Sequence, residues 1–153
     1  MAEVGLENEP FLREQLIEHV RVTAKKLATS EGVDFHDAGS VNTVDYEVEK
    51  DYLESLDSTI GSRLHNEQIQ SIALVITSPI DSEAVTIHAD FRLKSRTIVF
   101  VLHLDEKKDP KLFEFSTLSP DAPIPYTNPT PIPGDVPNDT LVTFNNLLEH
   151  RNH

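Results

Sequence analysis

The amino-acid sequence predicts an α+β fold, and three observations carry the prediction. Four β-rich runs follow one another between residues 69 and 118 with short turns between them. An amphipathic helical pattern precedes them at residues 11–28, and a proline-rich stretch separates them from a second helical pattern near the end. At 153 residues the chain has the length of one domain, because chains of about 150 residues bury roughly 68–70% of their extended surface. Residues 1–153 are therefore expected to form a single α+β domain.

In residues 11–28, Leu12, Leu16, Val20, Ala24 and Leu27 recur at three- and four-residue spacing, while Arg13, Glu14, Glu18, Arg21 and Lys25 lie largely off that stripe. Asn8 and Pro10 suit the helix start, and Lys25 and Lys26 suit the negative end of its dipole. Residues 43–49 then alternate. Val44, Tyr46 and Val48 point one way and Asp45, Glu47 and Glu49 the other, which predicts a fifth strand with an acidic face. Asp51 with Glu54 resembles a capping box, and Tyr52, Leu53, Leu56, Ile60 and Leu64 extend a helical stripe over 52–65. Should strand 43–49 run parallel to its neighbour at 69–77, this helix would be a right-handed crossover.

The runs IQSIALVIT, AVTIHADFRL, TIVFVLHLD and KLFEFSTL predict a four-stranded antiparallel meander covered by the N-terminal helix. A turn at Lys94–Ser95 sets Arg92 opposite Thr97, and so Val85 opposite Leu104, Ile87 opposite Leu102, Ala89 opposite Phe100 and Phe91 opposite Ile98. Extending the same face outward pairs Ile76 with Val85 and Leu74 with Ile87 on one side, and Phe113 with Leu104 and Phe115 with Leu102 on the other. The opposite face then carries Ala73, Val75, Val99 and Val101 with Thr86, His88, Asp90, His103 and Glu114.

Residues 119–137 hold seven of the ten prolines, which predicts an extended arm of polyproline II character. Asn138 or Asp139 is expected to cap a closing helix with Leu141, Phe144, Leu147 and Leu148 on its apolar stripe.

Composition restricts function more than it specifies it. The chain has 26 acidic and 13 basic side chains, a formal charge of −13, and no cysteine. A chain this acidic repels phosphate, so direct nucleic-acid binding is not expected. The absence of cysteine removes disulfides, thiolate metal sites and cysteine nucleophiles. The N-terminal residues lack a signal-peptide pattern and no apolar run is long enough to span a bilayer, so a cytoplasmic, membrane-free protein is expected. No phosphate-binding or nucleophile-elbow motif is present, and no cofactor is expected.

The charge is concentrated. Residues 31–57 carry nine acids against the single base Lys50, whereas residues 69–118 are nearly neutral at −1. Asp45, Glu47, Glu49, Asp51, Glu54 and Asp57 form a row suited to a basic surface. The leading expectation is a non-catalytic binding or adaptor protein presenting this acidic region to a basic protein partner, with self-association as a homodimer or higher homo-oligomer. The first alternative is a small metal-assisted hydrolase. In the register above, His88, His103 and Glu114 share a face, and two imidazoles with a carboxylate are a zinc-binding set. The second is a chaperone-like protein that holds clients on the half-apolar sheet face.

Overall fold

The computed structural model describes residues 10–29, 36–37, 41–48, 58–64, 67–80, 82–106, 108–117 and 130–152. In chain order they form α1 (Pro10–Thr29), β1 (His36–Asp37), β2 (Val41–Val48), α2 (Ser58–Arg63), β3 (Ile69–Pro79), β4 (Val85–Leu93), β5 (Thr97–Leu104), β6 (Lys111–Ser116), β7 (Thr130–Pro131), α3 (Asn138–Glu149) and β8 (Arg151–Asn152). The fold is α+β, with a single antiparallel sheet in the spatial order β1 to β7 and β8 added on β2. Five strands are long; β1, β7 and β8 are two-residue stubs at the edges.

The β4–β5 hairpin has the register that its apolar alternation dictates. Val85 faces Leu104, Ile87 faces Leu102, Ala89 faces Phe100 and Phe91 faces Ile98. The turn closes through the Leu93 amide, which donates to the Arg96 carbonyl at 2.8 Å. Phe91 and Phe100, one pair further apart, meet edge to face at 5.7 Å and 79°.

The outer registers depart from the sequence expectation. Between β3 and β4, Ile76 faces Ile87 and Leu74 faces Ala89, a slip of two residues that keeps every side chain on its expected face. Between β5 and β6 the slip is odd. Leu102 faces Leu112, Val101 faces Phe113 and Phe100 faces Glu114, so β6 is turned over. Phe113 and Phe115 thereby leave the helix-covered face and join Val99 and Val101. Glu114 moves the other way and accepts a hydrogen bond from the Arg63 guanidinium of α2 at 2.6 Å.

β2 joins β3 antiparallel, with Val44 opposite Ile76, Tyr46 opposite Leu74 and Val48 opposite Ile72. A parallel strand with a crossover helix is therefore excluded. α2 instead lies within the connection between two antiparallel neighbours. It covers only the second half of the expected 52–65 helix, residues 52–57 lying outside the described residues. Its Ile60 and Leu64 are buried.

The three helices of the described residues pack on one face of the sheet. Val20, Ala24, Leu27 and Ala28 of α1, Ile60 of α2, and Leu141, Phe144, Leu147 and Leu148 of α3 join the inward rows of β2–β6 in one core. Arg21 departs from its expected place off the stripe, since it is only 3% exposed. Its guanidinium holds both oxygens of Glu18 at 3.0 and 2.6 Å and donates to the Glu83 carbonyl at 2.9 Å, so every direction of the buried fork is used.

The closing helix begins after Pro137, whose carbonyl accepts from the Thr140 and Leu141 amides. Pro137 occupies the cap position with no side-chain cap bond, in place of Asn138 or Asp139. The Asn138 side chain is taken instead by Arg13, which bonds its Oδ1. Of the proline-rich stretch, residues 118–129 lie outside the described residues. Thr130 and Pro131 form β7 against Glu114 and Phe113, and Gly134 takes a φ of 86° that a side chain would resist.

Candidate acidic recognition face

The sheet registers lay out the helix-free face row by row. Glu47, Ala73, Asp90, Val99 and Phe115 form one row from β2 to β6. Asp45, Val75, His88, Val101 and Phe113 form the next, and Thr43, Thr77, Thr86, His103 and Lys111 the one beyond. The face is thus graded, with carboxylates toward β2 and apolar side chains toward β6.

Of the six acids expected to form the recognition row, Asp45 and Glu47 are described and both are exposed on this face. Glu49, Asp51, Glu54 and Asp57 lie outside the described residues. The register adds an acid from elsewhere in the chain. Glu47 and Asp90 flank the small Ala73, about two strand spacings or ~10 Å apart, with Asp45 in the adjoining row. Asp90 Oδ1 is buried with no hydrogen-bond partner among the described residues. Burial pushes its carboxyl up to about 6, the charge of Asp45 adds to the shift, and Arg92 opposes it. Burial also lowers the His88 imidazole below its ordinary value, favouring the neutral ring.

Asp90 falls outside the contiguous acidic stretch of residues 31–57, so sequence alone does not join it to Asp45 and Glu47. Only the antiparallel β2–β3 pairing brings residue 90 beside residues 45 and 47. The usable signal was the polar alternation of His88, Asp90 and Arg92 on β4, once β2 was known to lie two strands away.

The proposed metal set does not assemble. Glu114 projects on the helix-covered face with Arg63, while His88 and His103 lie on the other. The cause is the odd slip of β6, which places Lys111 opposite His103 where Glu114 was expected. His103 Nδ1 is instead 3.1 Å from the Thr86 hydroxyl. No group of three or more potential metal ligands occurs among the described residues.

The half-apolar part of this face is largely closed. Val99, Val101 and Phe115 are buried, and Ile80 is the exposed large hydrophobic side chain among the described residues. No described helix is long and apolar enough to cross a membrane.

No family model, curated protein or solved structure matches this chain.

Proposed function

We propose that this protein is a non-catalytic binding or adaptor protein that presents its acidic region, residues 31–57, to a basic protein partner in the cytoplasm. The observation that supports this reading is the exposure of Asp45 and Glu47 on β2 beside the half-buried Asp90. The charge of Asp45 adds to the cost of ionising the half-buried Asp90, and an incoming lysine or arginine would relieve that cost. Such a surface steers a cationic partner and sets its orientation more than it supplies raw affinity.

The test is charge reversal. Asp45→Lys with Glu47→Lys and Glu49→Lys should abolish capture of basic proteins from lysate of the native organism while leaving the unfolding temperature nearly unchanged. Capture by the parent chain should also weaken as ionic strength rises from about 0.05 to about 0.5 M, since the screening length shrinks severalfold. Undiminished capture by the reversed chain would end this reading.

A further inference from the structure

β2 is the outermost long strand on its side of the sheet, and its outer edge is met by two stubs from the same chain. β1 pairs with it at Asn42 and Thr43, and β8 pairs with it at Glu47 and Val48. β8 reaches this position from α3. The fully buried Leu147 and Leu148 fix the end of that helix, the His150 amide donates to the Asn146 carbonyl at 3.1 Å, and the chain passes onto the edge of β2.

The two stubs differ in what they bring. β1 carries an acid, Asp37, whereas β8 carries one basic residue, Arg151, and no acid. A two-residue strand with one formal positive charge thus lies on the edge of the most acidic of the described strands. Two ladder residues contribute little stability by themselves. α3 is held by its own buried side chains, so loss of the β8 pairing leaves the core in place. The opposite edge of the sheet is less suited to exchange. There β7 supplies Pro131, which has no donor, and the Ile132 amide bonds the Leu112 carbonyl just beyond it.

We propose that β8 is a displaceable occupant of the β2 edge, and that the basic partner adds a strand there in its place, setting cationic side chains in register with Asp45 and Glu47. This rests on the reading of β2 as the recognition strand. Strand addition draws affinity from main-chain hydrogen bonds and specificity from alternate side chains, and β2 presents its acids at alternate positions. While β8 is seated the edge is occupied, so the partner's apparent affinity is reduced by the fraction of molecules in which it is free.

The experiment compares the full chain with a chain ending at His150, using a short peptide of alternating lysine and valine as probe. In amide NMR titrations the peptide should shift the resonances of Val44–Val48 in the shortened chain, the part of β2 that β1 leaves uncovered. It should bind the full chain about tenfold more weakly, the signature of an internal competitor. A peptide of alternating glutamate and valine should shift neither. Equal binding to both chains, or shifts confined to other strands, overturns the proposal. So does a concentration-dependent dimer of the full chain that shortening abolishes, because the edge would then belong to a second copy. If the shortened chain does not fold, Asn152→Pro in the full chain disfavours the strand pairing at constant length and should give the same tenfold gain.

The two ideas fail separately. Unchanged capture by the charge-reversed chain, with the peptide still discriminating between the two chains, removes the acidic partner reading and leaves the exchange. Capture that depends on the carboxylates, with no discrimination by the peptide, removes the exchange and leaves that reading.

Discussion

Arg63 on α2 and Glu114 on β6 are joined at 2.6 Å on the helix-covered face, although they are 51 residues apart in the chain. The pair fixes α2 to the far strand and holds Glu114 away from the histidines. Arg63→Ala should cost about 1 kcal/mol in denaturant unfolding, as for a charge-assisted bond that is partly solvated. Glu114→Gln should cost a similar amount and leave any response of His88 and His103 resonances to added zinc unchanged. A zinc response that disappears in Glu114→Gln would show the carboxylate and the imidazoles acting together after all.

Asp90 and His88 should pull stability in opposite directions with pH. For Asp90 the folded value is raised to about 6, above about 3.9 for an unfolded chain. The unfolded chain therefore gives up its proton first, and stability falls as pH rises from about 4 to about 6 and stays reduced above it. The loss is on the order of 2–3 kcal/mol. For His88 the folded value is lowered, so below about pH 6.5 the unfolded chain takes up the proton first and stability falls as pH drops. The two slopes offset each other across their shared window. Asp90→Asn should leave stability that rises with pH through that window, and His88→Gln stability that falls. Urea midpoints measured from pH 4 to pH 8 check both, and parallel profiles for the two variants would contradict the assignment.

The buried Arg21 fork should not tolerate its commonest replacement. Lysine keeps the charge but cannot hold both oxygens of Glu18 and the Glu83 carbonyl together. Arg21→Lys is expected to lower stability by about 1–2 kcal/mol. Hydrogen exchange should locate the loosening at the junction of α1 with the β3–β4 turn. A loss spread evenly over the chain would argue against a local anchor.

Phe100 sits at the centre of the sheet, fully buried on β5 and edge to face with Phe91. Phe100→Ala should cost about 3–5 kcal/mol through lost burial and the cavity left behind. Phe113→Ala on the other face is only partly buried and should cost distinctly less. Equal losses at the two positions would mean that the minor cluster around Val99 and Val101 carries as much of the fold as the main core.

Where a hairpin has a tight turn and unequal faces, the sequence determines its register. Leu93 to Arg96 closes with a short turn, and each strand flanking it has an uninterrupted apolar row, so β4 and β5 align without ambiguity. KLFEFS on β6 is different, because both of its faces carry apolar side chains. Assigning the two phenylalanines to the larger core ignores Arg63, which makes Glu114 acceptable there, and ignores Val99 and Val101, which the phenylalanines cover instead. A charge partner from a distant helix is not visible in local alternation. The candidate face was legible for the same reason only in part. Asp45 and Glu47 follow from period two on β2, whereas Asp90 enters through a strand pairing that no local pattern dictates.

The sheet and the helical layer make different demands on chain order. From β3 to β6 each strand pairs with the next in sequence, so these strands form by successive closure of short loops. The helical layer instead requires α1, at the start of the chain, to meet α3 near its end, and the two pack directly against each other. A ribosome therefore delivers every long strand before it delivers the residues that complete the core. Until α3 emerges, the nascent chain holds a paired sheet with its apolar face incompletely covered, and this interval is when it is most exposed to misassembly.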